Sequence, residues 1–121
     1  MSTSGTLNLT VIEAKLTRDT ETFGKMDPYC VLETRQQQFK TVTHENAGKA
    51  PKWDQTFKVD VKYIGDDLTL TVFDEDVTGS DKVGSATIKL SALCVNGGLD
   101  DWYEIQYKGK KSGTVHIKGV F

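Results

Sequence analysis

The sequence predicts an all-β fold, an eight-stranded antiparallel β-sandwich, and three observations carry that expectation. Apolar and polar residues alternate with period two in run after run along the 121 residues. Segments rich in Gly, Asn, Asp and Ser separate those runs at short intervals, the spacing expected of strands joined by turns. No window carries a sustained 3.6-residue apolar repeat, so helices are not expected to build the core.

The first strand is read from Leu7, Leu9 and Val11 on one side and Asn8 and Thr10 on the other. Further strands are expected over residues 28–35, 38–44, 53–61, 67–74, 84–90, 101–107 and 113–120. Pro28 suits the first position of a strand, where no ladder donor is required. Within these runs Cys30 and Leu32 share a face, as do Leu68, Leu70 and Val72, then Ala86, Ile88 and Leu90, then Val115, Ile117 and Phe121. Residues 91–100 leave room for one short helical turn beginning at Ser91. No repeat, linker or low-complexity tract interrupts the chain, so residues 5–121 read as a single domain behind a flexible lead of residues 1–4.

Composition excludes several function classes. Fifteen basic and 17 acidic residues give a formal charge of −2, so nothing pulls the whole molecule toward polyanions, and nucleic acid is not expected as a partner. The two cysteines, Cys30 and Cys94, fall in or beside expected strands, and a domain of this size is stable without a disulfide. Reduced thiols, a polar start lacking an apolar leader core, and the absence of any run near the ~20 apolar residues of a membrane span together predict a cytoplasmic protein, expected to be a monomer.

The chemistry lies in two acidic segments between expected strands. Glu21 and Asp27 occupy one; Asp74, Asp76 and Asp81 occupy the other. Residues two apart project the same way along an extended chain, so Asp74 and Asp76 can converge while Glu75 points away, and Asp81 returns across the turn. Hard oxygen ligands gathered at loop ends suit a calcium ion. The string Asp74-x-Asp76-x-Thr78-Gly79 also partly matches an EF-hand loop, but its twelfth position is Ser85 instead of a bidentate Glu and its flanks read as strands, so that reading is rejected.

Around these acids the motifs become specific. Glu21-Thr22-Phe23-Gly24-Lys25-Met26-Asp27-Pro28-Tyr29 followed by a strand resembles the first calcium loop of the C2 domain family, and Asp74-x-Asp76 with Asp81-x-x-Gly84 resembles that family's third loop. Ala50-Pro51-Lys52-Trp53-Asp54-Gln55-Thr56-Phe57 resembles its Asn-Pro-x-Trp-x-Glu-x-Phe segment, with Ala50 and Gln55 in place of Asn and Glu. The resemblance runs over residues 5–121 and is greatest to small single-domain C2 proteins of the plant elicitor-responsive kind. A chain that opens on the strand before the first loop and closes with an extra strand is similar to the family's type II topology.

That resemblance implies a calcium-dependent phospholipid-binding module with Ca²⁺ as cofactor, metal ligands at Glu21, Asp27, Asp74, Asp76 and Asp81, and an anionic phospholipid membrane as partner. Glu21 stands where the family usually has Asp, and Asp19 is the alternative first ligand if the loop shifts. The third loop is one residue shorter than the common spacing between its first and last Asp. Phe23, Met26 and Val77 are apolar groups near the implied ions and are candidates for membrane contact; Phe23 and Met26 have packing beneath the loop as their alternative. Lys25 and Lys82, with Arg18, are candidates for anionic headgroups or plain solvated turn charges. Arg35, Lys40, Lys49 and Lys52 are a phosphoinositide candidate, diluted by Gln36, Gln37, Gln38 and Glu45.

The alternative function is a protein-interaction adaptor, calcium-responsive or calcium-independent. A carboxylate-bound metal can also hydrolyse phosphate esters, but the chain offers no glycine-rich phosphate loop, no Cys/His zinc spacing and no recognisable nucleophile–base grouping around His44 or His116. It is not expected to be an enzyme. Trp53, Trp102 and Tyr103 are read as core or sheet-edge aromatics.

Overall fold

In a computed structural model, residues 4–121 are described, and the expected lead of residues 1–4 lies, apart from Ser4, outside them. Eight strands run as β1 (Gly5–Leu16), β2 (Pro28–Glu33), β3 (Gln38–Lys40), β4 (Lys52–Val61), β5 (Asp67–Asp76), β6 (Gly79–Lys89), β7 (Gly98–Tyr107) and β8 (Lys110–Val120), with a short helix α1 (Leu90–Cys94) after β6. Every pairing is antiparallel, in the order β3-β2-β5-β6-β7-β8-β1-β4. β6 and β7 meet through the single pair Ser85–Gln106, and there the sheet folds into two layers, β3-β2-β5-β6 and β7-β8-β1-β4. The last strand lies between β7 and β1, as the type II expectation requires.

The alternating apolar residues become the core between the layers: Leu7, Leu9 and Val11 from β1, Cys30 and Leu32 from β2, Leu68, Leu70 and Val72 from β5, Val115 and Ile117 from β8. At roughly 1.5–3 kcal/mol for each fully buried large apolar side chain, this stripe pattern is what drives the layers together. In β1 the pairing register shifts between Val11 and Glu13, and beyond that bulge the buried positions change from odd to even, to Ala14 and Leu16. One inserted residue turns every later side chain to the other face. β6 and β8 carry comparable irregularities at Val83 and Ser112.

Several boundaries differ from expectation. The run 38–44 is a strand only over Gln38–Lys40, and the chain beyond it becomes a loop tied to β2 by Thr41 N–H to Cys30 O and His44 N–H to Pro28 O, both 2.9 Å. β6 begins at Gly79, five positions earlier than expected, because β5 and β6 continue as a tight hairpin linked by Val77 and Thr78. β7 and β8 likewise extend to a two-residue turn, Lys108-Gly109, with both φ values positive (51° and 79°). Such left-handed pairs match the twist of the flanking strands. Phe121, grouped with the core by its spacing, lies beyond β8 and is exposed. Cys30 and Cys94 are free and buried, and burial pushes the Cys30 thiol far above its ordinary range. Among the described residues no helix is long and apolar enough to cross a membrane.

Candidate metal centre

Three connections meet at one end of the sandwich: residues 17–27 between β1 and β2, residues 41–51 between β3 and β4, and the β5–β6 hairpin. Asp74 is placed there by strand parity. It occupies the next inward position after Leu68, Leu70 and Val72 and is 0 % exposed. In the ladder it is flanked by Pro28 on β2 and Asp81 on β6. Its Oδ1 accepts the Asp27 N–H at 2.8 Å, and its Oδ2 accepts the Thr20 hydroxyl at 2.7 Å. Glu75 N–H in turn donates to Asp27 O at 2.9 Å, so the start of β2 and the end of β5 are locked side by side. From the second loop, Asn46 donates its backbone N–H to Asp27 Oδ1 at 2.7 Å, made possible by a left-handed backbone at Asn46 (φ 58°).

One carboxylate oxygen each from Glu21, Asp74 and Asp81 lies within 4.8 Å of the other two. Asp27 and Asp76 line the adjoining open cleft, of about 320 Å³, together with Glu21, Glu75 and Val77. Glu21 therefore belongs to both groupings. Of the five acids singled out by sequence, three form the tight cluster and two stand beside it on the same rim. Asp19, the alternative ligand, is turned to local use: its Oδ1 accepts the Glu21 N–H at 2.9 Å, shaping the loop that presents Glu21.

Among the described residues, no ion pair answers these charges. The ion pairs among the described residues are Arg35–Asp66, Lys89–Asp67 and His116–Asp100, and none involves the rim. The consequence is seen at Glu21, whose carboxyl is pushed up to about 7 from an ordinary 4.5. Its hydrogen bond with Asp74 is the largest cause, followed by the charge of Asp74, loss of water, and the charges of Asp76 and Asp81. A buried carboxylate facing two others, with every donor a hard oxygen and no ion pair to any of the three among the described residues, fits a calcium-type cation and not a soft or nitrogen-preferring metal.

The surrounding apolar candidates separate. Phe23 is 88 % exposed and Val77 100 % exposed at the rim, beside exposed Lys25 and Lys82. Met26 corrects the sequence reading: it is 0 % exposed and packed in the core, so it anchors the first loop from below and is no membrane contact. The cations considered for phosphoinositides form no single patch. Arg35 pairs with Asp66 at the opposite end of the sandwich, and Lys40 lies 4.3 Å over the Tyr29 ring. His44 Nδ1 accepts the Lys52 N–H, and His116 stacks on Trp102. Trp53 is buried with its ring N–H donated to Pro28 O. Sequence reasoning missed Thr20 and Asn46; only the Asn-x-Gly turn at 46–48 hinted at a left-handed backbone.

Comparison with known proteins agrees with this architecture. The C2 domain family profile matches residues 5–105. Elicitor-responsive protein 3 of Oryza sativa subsp. japonica is 35% identical over 96 residues, covering 78% of this chain and 67% of that protein. The chain thus spans about two thirds of the length of that relative. Among solved structures, a C2 domain-containing protein from a putative elicitor-responsive gene superposes with a TM-score of 0.82 at 33% identity, covering 98% of this chain and 88% of that one. The calcium-bound tandem C2 domains of Extended-Synaptotagmin 2 give 0.84 at 27% identity, covering 96% of this chain and 45% of that one. With a family match across most of its length, type II strand order and an acidic rim at the loop end, this chain belongs to the C2 domain family.

Proposed function

We propose that this protein is a calcium-dependent phospholipid-binding module, recruited from the cytoplasm to the surface of anionic membranes, and that it catalyses no reaction. The observation that carries the reading is Asp74: a fully buried carboxylate, held by two donors, facing Glu21 and Asp81 with no ion pair to any of the three among the described residues. Glu21, Asp74 and Asp81 would hold one ion, with Asp27 and Asp76 available along the adjoining cleft. A bound calcium ion supplies two positive charges and, at roughly six to eight oxygen positions, sites left over for lipid oxygens. The chain's own part is to keep the carboxylates fixed by backbone donors and to project Phe23 and Val77 beyond them, where their apolar surface can enter the interfacial region. The calcium-bound structure of the synaptotagmin-type relative supports the cation assignment.

Sedimentation with phosphatidylserine vesicles tests the reading. The protein is expected to pellet in calcium and stay in the supernatant in chelator, Asp74→Asn to lose both calcium binding and pelleting, and Phe23→Asp with Val77→Asp to keep calcium binding while losing pelleting. No pelleting of the parent at millimolar calcium would favour the adaptor function, and equal calcium affinity in Asp74→Asn and parent would refute the metal assignment.

A further inference from the structure

Beside the acidic rim, on the other flank of the first loop, lies a small cleft of the opposite charge. It has a volume of about 220 Å³ and is lined by Arg18, Tyr107, Lys110, Lys111 and Ser112. The β7–β8 turn and the start of the first loop build it. Ser112 is the bulged residue of β8, and its carbonyl accepts the N–H groups of Thr17 (2.9 Å) and Arg18 (3.2 Å), which pins the loop against the hairpin. The Arg18 guanidinium lies 3.8 Å from the centre of the Tyr107 ring, and its Nε reaches the Lys82 carbonyl at 3.4 Å. Lys108 approaches the same ring at 5.3 Å.

These cations have no acidic partners: none of Arg18, Lys108, Lys110 and Lys111 takes part in an ion pair among the described residues. Ser112, 1 % exposed, backs the cleft, and its hydroxyl finds no hydrogen-bond partner among the described residues. Opposite it stands Gly84, where an added Cβ would come within 2.0 Å of that hydroxyl. That hydroxyl is packed against Gly84 and buried, so the groups the cleft offers a ligand are the cations of Arg18, Lys110 and Lys111.

We propose that this cleft binds a phosphomonoester dianion. A guanidinium held over an aromatic ring keeps its remaining N–H groups free for phosphate oxygens, and Lys110 and Lys111 at the start of β8 add point charges at short range. The acidic rim next door repels any extended polyanion, so a single phosphate group suits the site better than a nucleic acid strand. Because the cleft flanks the end that bears Phe23 and Val77, a lipid phosphomonoester is the source that fits the membrane reading, and a soluble one fits the cleft equally well without it.

The test uses the full chain and a pair of exposed substitutions, Lys110→Gln/Lys111→Gln, against the control pair Lys58→Gln/Lys62→Gln on and just beyond β4. Two probes are titrated, each in calcium and in chelator: glycerol 3-phosphate, followed by calorimetry, and vesicles containing phosphatidic acid or phosphatidylserine adjusted to equal surface potential. The cleft pair is expected to lose about thirtyfold in affinity for phosphatidic acid vesicles, roughly fivefold per lysine, and to change little on phosphatidylserine. Glycerol 3-phosphate binding that vanishes in the cleft pair also supports the site and, without a phosphatidic acid preference, assigns it to a soluble ligand. Equal losses on both lipids, the same losses in the control pair, or no binding of either probe by the parent would overturn it. Should phosphatidylserine pelleting fail while the phosphomonoester signal remains, the membrane reading falls and the cleft stands.

Discussion

On the proposed calcium reading, Glu21 would make ion binding release a proton, and the size of that release would follow from its raised carboxyl pKa. Its carboxyl is pushed up to about 7 by the hydrogen bond with Asp74, then by the charge of Asp74, loss of water, and the charges of Asp76 and Asp81. Coordination requires the ionised form, so calcium and the proton compete. At pH 6 the group is about nine-tenths protonated, and one ion should displace about 0.9 proton; at pH 8 the release should fall to about 0.1. The same arithmetic lowers calcium affinity about tenfold between pH 8 and pH 6. Calorimetric titration in two buffers of different ionisation enthalpy reads both quantities, and Glu21→Gln should abolish the proton release. The stability of the calcium-free protein carries the matching sign. The folded pKa lies above the unfolded one, so the contribution is fully present below about pH 4.5 and is lost as pH rises through about 7. Calcium-free thermal stability should therefore decline over that window, and Glu21→Gln should remove the decline. Calcium binding at pH 6 with no proton release would show that Glu21 is not a ligand or is not crowded by Asp74.

Two substitutions test the supports beneath the rim. Thr20→Val removes the hydroxyl donated to Asp74 Oδ2 at 2.7 Å and should weaken calcium binding about tenfold or more with little change in fold, as seen by titration alongside circular dichroism; unchanged affinity would make that hydrogen bond irrelevant to the site. Met26→Ala hollows the packing under the first loop and should lower unfolding free energy by roughly 2–5 kcal/mol in urea denaturation, whereas a loss well under 1 kcal/mol would contradict its full burial.

The strands and the acidic positions were legible because each follows from a local rule. Leu68, Leu70, Val72 and Asp74 share one parity, so the inward placement of Asp74 could be read by continuing the apolar alternation to its end. What the sequence hid was set by contacts between distant segments. The donors to Asp74 come from Thr20 and Asp27, and the donor to Asp27 from Asn46, a pairing that no spacing within one loop announces. Met26 illustrates the same limit: an apolar residue between Lys25 and Asp27 reads as equally suited to lipid or core, and only the hydrogen bond from Gly48 N–H to its carbonyl and the packing below decide for the core. The bulges at Ile12, Val83 and Ser112 explain why alternation faded before the strands ended, since each reverses the parity on which the boundaries depend.

Those bulges also lie close to where the functional groups are displayed, and this gives the near-neutral composition a different meaning. A formal charge of −2 averaged over the surface conceals a strongly polar end. Six carboxylates, Glu75 among them, line one part of the rim, while Arg18, Lys82, Lys108, Lys110 and Lys111 lie around its flank. At physiological ionic strength fields decay over about 8 Å, so an anionic surface approaching this end would respond to it and not to the whole molecule. Without calcium the carboxylates offset the neighbouring cations and repel anionic headgroups. On the proposed reading, calcium bound at the rim would leave the flank cations unopposed, so it need not supply the whole attraction; it would remove the charge that masks one already built into the hairpin. The salt dependence of binding to phosphatidic acid vesicles in calcium should accordingly weaken in Lys110→Gln/Lys111→Gln, and an unchanged slope would place the attraction entirely at the metal rim.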